Sequence, residues 1–148
     1  MKKAILLAAF VVACAPKDEA AVDSAAAAGP APLTAADVAG TWTGMTMLEG
    51  TDSVTNRWTI TGDGMQGKLV NEGSTDTTTA TTTYDADSLI STSTPYVDKN
   101  LPGSPTVTFR SVGRLTGPGT MAGTATLMLA SKPDSVIARV RWEATKSP

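Results

Sequence analysis

Few residue types in this chain could carry chemistry. Its 148 residues include no histidine and a single cysteine, Cys14. Without an imidazole there is no Ser-His-Asp or Cys-His nucleophilic site, and the common zinc sets are missing. A catalytic base would have to be a carboxylate, a lysine or a tyrosine. Asp52, Asp63, Asp76, Asp85, Asp87 and Asp134 fall at predicted turns, where aspartate is favoured for hydrogen bonding to its own backbone. No carboxylate pair stands out, so neither an enzyme nor a cofactor is expected. Asp85-Ala-Asp87 and Gly62-Asp-Gly64 lack the alternating oxygen ligands and late glutamate of a calcium loop. Met45-Thr-Met47 offers thioethers that suit Cu(I). However, residues two apart in a strand share a face, where methionine fills core gaps or lines an apolar pocket, and that is the expected role. Gly117-Pro-Gly119 lacks a following helix that could hold a phosphate.

The lone cysteine closes the leader. Lys2 and Lys3 precede an apolar run, Ala4 to Ala13, far shorter than the ~20 residues of a spanning helix. Small residues stand at its end, as a cleavage site requires. In an exported chain Cys14 has no partner for an internal disulfide. The run Val11-Val12-Ala13-Cys14 resembles the lipobox of bacterial lipoproteins, with Val11 where leucine is commoner. The resemblance implies a signal peptide over residues 1–13, cut before a cysteine that then carries fatty acyl chains. It also implies a place in the cell envelope, lipid-anchored to a membrane. Ala15 replaces the aspartate that retains some of these proteins at the inner membrane, which points to the outer membrane. Two or more chains at ~0.8 kcal/mol per buried methylene hold a protein on a membrane. An ordinary signal peptide cut nearby is the alternative.

Residues 14–32 form a tether. Ala15 to Pro32 is dominated by Ala, Pro, Gly, Ser and a few acids, too little apolar surface to offset the entropy of ordering. The remaining domain spans residues 33–148. The chain has 12 basic and 14 acidic residues; without Lys2 and Lys3 the balance is 10 against 14, a net −4. That argues against a nucleic-acid partner, which needs a basic footprint.

The elements that must position any site are strands. Threonine and valine alternate with larger residues between closely spaced turn signals. Thr34-Ala-Ala-Asp37 fits a short capped helical turn. Eight strands follow, at about Gly40–Leu48, Val54–Thr61, Met65–Asn71, Thr75–Tyr84, Ser88–Thr94, Thr106–Leu115, Thr120–Ala130 and Ser135–Thr145. Lys132-Pro-Asp134 reads as the last turn, and Pro95 to Pro105 as the only long connection. Short links predict an antiparallel up-and-down meander. Eight strands can close into a barrel, which removes exposed edges and either fills with side chains or holds one small ligand. A β-sandwich is the alternative. Val54, Asn56, Trp58 and Ile60 share one face, as do Val136, Ala138, Val140 and Trp142. The threonine-rich stretch Thr75 to Thr83 is either a solvated side or the lining of a polar interior.

Gly40-Thr-Trp42 at the head of the first strand resembles the Gly-X-Trp signature of the calycins. That resemblance implies a barrel whose base is closed by Trp42, with a basic residue of the last strand packed across its ring; Arg139 and Arg141 are the candidates. The family disulfide and the later lipocalin motifs are absent. The alternative is that Trp42, Trp58 and Trp142 are simply core aromatics. The expected activity is binding of a small apolar or amphipathic ligand, with Trp58, Ile60, Phe109, Met121, Leu127 and Trp142 as pocket candidates. The competing reading is a structural or interaction lipoprotein with a filled barrel, since the chain has only three Trp, two Tyr and two Phe. No protein partner is legible. Asp23-Ser, Asp52-Ser, Asp76-Thr, Asp87-Ser and Asp134-Ser resemble a bacterial O-glycosylation sequon, with turn-then-strand chemistry as the simpler account.

Overall fold

The computed structural model describes residues 31–148. The leader, Cys14, Asp23-Ser24 and the tether up to residue 30 lie outside the described residues. A single helical turn, α1 (Ala35–Val38), leads into nine strands. These are β1 (Gly40–Leu48), β2 (Val54–Gly62), β3 (Gln66–Asn71), β4 (Thr77–Asp85), β5 (Ser88–Ser93), β6 (Tyr96–Val97), β7 (Thr106–Gly117), β8 (Thr120–Leu129) and β9 (Lys132–Lys146). Strands β1 to β5 pair in succession, as do β7 to β9, all antiparallel. The β1–β9 and β5–β7 ladders then close the ring. Eight strands make the barrel, with β6 as a small addition. The continuous ladder replaces the sandwich alternative.

Strand β6 is the far end of β5 beyond a bulge. Between Thr92↔Arg110 and Tyr96↔Val107 the chain advances four residues on one side and three on the other. Ser93 Oγ accepts the Phe109 N–H at 2.9 Å and so replaces the interrupted ladder bond. The connection expected from Pro95 therefore begins only at Asp98. The turn expected at Lys132-Pro-Asp134 is also corrected. The chain reverses at Ala130 and Ser131, and Lys132–Asp134 belongs to β9. Register there slips from Leu127↔Ala138 to Leu129↔Lys132, and an irregular segment tolerates Pro133 because its ladder bond is already lost.

Bulges also decide which side chains point inward, because a one-residue slip flips every face. An irregularity between Thr46 and Met47 turns Val54 outward, and the slip near Met128 does the same to Val136. Both valines are exposed, contrary to the regular alternation. Inside the threonine-rich β4 the pleat holds. Thr78, Ala80 and Thr82 are buried, while Thr77, Thr81 and Thr83 face solvent.

One end of the barrel is solidly packed. Leu33, Trp42, Leu89, Met121, Trp142 and Ala144 form a buried cluster. Helix α1 lies across this end, held by a capping box in which Thr34 N–H donates to Asp37 Oδ2 at 2.9 Å. The Leu33 N–H donates to Ala86 O at 2.9 Å. Gly64, at φ +90°, sits so close to Ala35 that a Cβ there would strike the backbone.

Above this end, two tryptophans occupy room that glycines leave. A Cβ on Gly44 would collide with the Trp58 indole, and one on Gly113 or Gly123 with that of Trp142. The two rings meet edge to face, 6.1 Å between centroids and 70° between planes, an arrangement favoured by the ring quadrupoles. Gly113→Ala should therefore overpack the core at a cost of about 1–3 kcal/mol, seen as a lower urea midpoint with an unchanged slope. An unaltered midpoint would mean that the indole relaxes freely.

Candidate functional site

A cavity of about 330 Å³ runs along the barrel interior. Register sets the heights of its walls. Trp42, Ile60, Leu89 and Met121 lie toward the closed end. Trp58 and Trp142 come next, then Asn56, Asn71, Phe109 and Leu127 near the opposite mouth. Tyr96, Asp98 and Leu101 complete the mouth on the β5–β7 side.

All six pocket candidates, Trp58, Ile60, Phe109, Met121, Leu127 and Trp142, are in this lining. Met121 and Trp142 are buried in the packed end, and the other four are half-buried. Met45 and Met47 are not in the lining; Met45 is half-buried and Met47 is buried, only 4% exposed.

Many of the polar groups inside are already paired within the wall. Trp58 Nε1–H donates to Thr46 Oγ1 at 3.0 Å and Trp142 Nε1–H to Ser111 Oγ at 2.8 Å. The Thr82 and Ser91 hydroxyls share a bond of 2.8 Å, and Asn56 Nδ2 donates to Asn71 Oδ1 at 2.8 Å. Among the described residues no sealed side-chain nitrogen or oxygen lacks a partner. The indoles thus turn their apolar faces to the cavity and their N–H groups to the wall, so contact with a guest is dominated by area and shape.

At the mouth, Tyr96 packs edge to face on Phe109, 6.4 Å between centroids. Burial, and then the Asp98 carboxylate, push its phenol pKa well above the ordinary value of 10.0, so it stays a neutral hydroxyl in the physiological range. At the closed end Tyr84 Oη–H donates to Gly64 O. The surface acids behave as turn residues. Asp63 Oδ1 accepts the N–H groups of Met65 and Gln66, which lowers its pKa. Asp76 is lowered by Lys99, at 2.7 Å.

Gly40 and Trp42 stand at the closed end, and Trp42 is only 1% exposed. Its Nε1–H donates to Val38 O at 2.7 Å, tying the ring to α1. The cation across it is Lys146, 5.5 Å from the ring centroid. This corrects the expectation for Arg139 and Arg141. The antiparallel register places Lys146 opposite Trp42, while Arg141 lies opposite Met47, five residues further along β1. Arg141 instead donates to Thr51 O and pairs with Asp52 and Glu143, and Arg139 is exposed. Counting register back from Trp42 would have found Lys146. Tyr96 and Asp98 had no such signal, because they lie in a segment framed by prolines that reads as a loop.

Lys146→Ala should lower stability by about 0.5–1 kcal/mol through the lost cation–π contact, whereas Arg139→Ala should stay within about 0.5 kcal/mol. Paired urea melts test both, and equal losses would remove the special role of Lys146. Compared with protein-family models, with curated proteins and with solved structures, the chain matches none.

Proposed function

We propose that this protein is a lipid-anchored envelope lipoprotein whose barrel carries a small apolar or amphipathic molecule, without catalysing a reaction. One observation carries the binding reading: an apolar cavity whose lining polar groups largely bond to one another. A filled barrel would have no such space, which weighs against the purely structural alternative. The volume sits at the lower end of the roughly 300–1,000 Å³ typical of small-molecule sites. It corresponds to the liquid volume of about eleven water molecules at ~30 Å³ each. A guest with an alkyl tail of about eight carbons would gain roughly 6 kcal/mol from burial, before association costs.

The anchoring reading rests on the leader and Cys14. Acyl chains on that cysteine are the membrane partner, residues 14–32 are the spacer, and the outer membrane is the proposed destination. Cys14→Ala should abolish acylation and release the protein from the membrane fraction. Unchanged fractionation and processing would refute the anchor.

The carrier reading is tested by native mass spectrometry of the protein purified from its exporting host. A reproducible added mass is expected, and it should be lost in Leu127→Trp, which fills the mouth. A bare protein across several growth conditions would favour the structural alternative.

A further inference from the structure

We propose that the molecule carried is an amphipathic cation, an alkyl or aryl amine whose ammonium group is held by Asp98 at the mouth of the cavity; this rests on the carrier reading above. The pleat of β6 places the carboxylate. Tyr96 faces the cavity, Val97 is half exposed on the outside, and Asp98 turns inward again with only 8% exposure. Asp98 Oδ1 accepts the Asn100 N–H at 2.9 Å. Its own N–H donates to Pro105 O at 3.0 Å. Among the described residues, no hydrogen bond reaches the second carboxylate oxygen and no lysine or arginine pairs with it.

The charge balance of the lining points the same way. Among the described residues that line the cavity, Asp98 is the only acidic one, and none is basic. A carboxylate taken out of water without a counter-charge is costly, and a cation brought beside it offsets that cost. An anionic guest would meet a like charge with no base to balance it. The neighbouring rings also suit a cation. Tyr96 and Phe109 stand at the same end, and aromatic faces attract ammonium groups. The tail would lie along Leu127, Trp58 and Ile60.

The test uses the full-length chain carrying Cys14→Ala, without detergent, titrated calorimetrically with octylamine, octanol and octanoate. The three share a tail and differ in head group. Octylammonium should bind about tenfold or more tighter than octanol, as a charge-assisted hydrogen bond implies, with octanoate weakest. Asp98→Asn keeps an oxygen for the Asn100 N–H but loses the charge. In that variant octylammonium should fall to within about twofold of octanol. Octylammonium no tighter than octanol in the unsubstituted mouth overturns the proposal and leaves the carrier reading standing. If none of the three binds, the carrier reading fails and the proposal with it. If the variant binds neither ligand, the order of the three affinities in the unsubstituted mouth decides.

Discussion

The interior depends on how Trp58 and Trp142 are seated. Their strands, β2 and β9, flank β1 on either side, with Trp58 opposite Gly44 and Trp142 opposite Thr46. Glycines at 44, 113 and 123 leave hollows in the wall for the rings. Wall hydroxyls on Thr46 and Ser111 take both N–H groups. The edge-to-face pair therefore forms a shelf whose polar needs are met sideways. The packed cluster around Trp42 includes Trp142, and beyond it the small side chains of Ala138 and Ser91 leave space. A barrel with few large residues can keep a cavity because its largest ones are gathered at one level.

The closed end follows from the same economy of large side chains. Trp42 is pinned from three directions: by its burial in the cluster, by the bond from its indole to Val38 O, and by Lys146 across its face. Helix α1 is too short to be stable alone. It persists because the capping box satisfies its first turn and Gly64 lets it approach the β2–β3 turn. The chain at Leu33 is thereby fixed at the packed end, away from the mouth. An occupant would enter from the side remote from that point.

Much of the architecture was legible along the chain. Period-two alternation marks Trp58, Ile60, Phe109, Leu127 and Trp142 as one interior set, and all of them line the cavity. Glycine-bearing turns place most strand ends within a residue or two. The reading failed where register changed. Val54 and Val136 face out because a bulge separates each from the residues that follow it, Lys132–Asp134 is strand, and Tyr96 and Asp98 are wall where a loop was expected. A bulge leaves no reliable mark in residue types, since it depends on the strain of closing the sheet around its neighbours.

By itself, the sequence determined the all-β meander, the chemistry that histidine-free and disulfide-free side chains cannot perform, and the tryptophans of the interior. These follow from local propensity and from the two-residue period of a strand, which need no knowledge of distant contacts. Tertiary structure alone decided that β5 meets β7 to close the ring, that Lys146 and neither arginine covers Trp42, and that a carboxylate faces an apolar chamber. The first two are matters of register between segments far apart in the chain, and the third of the bulge that separates β5 from β6.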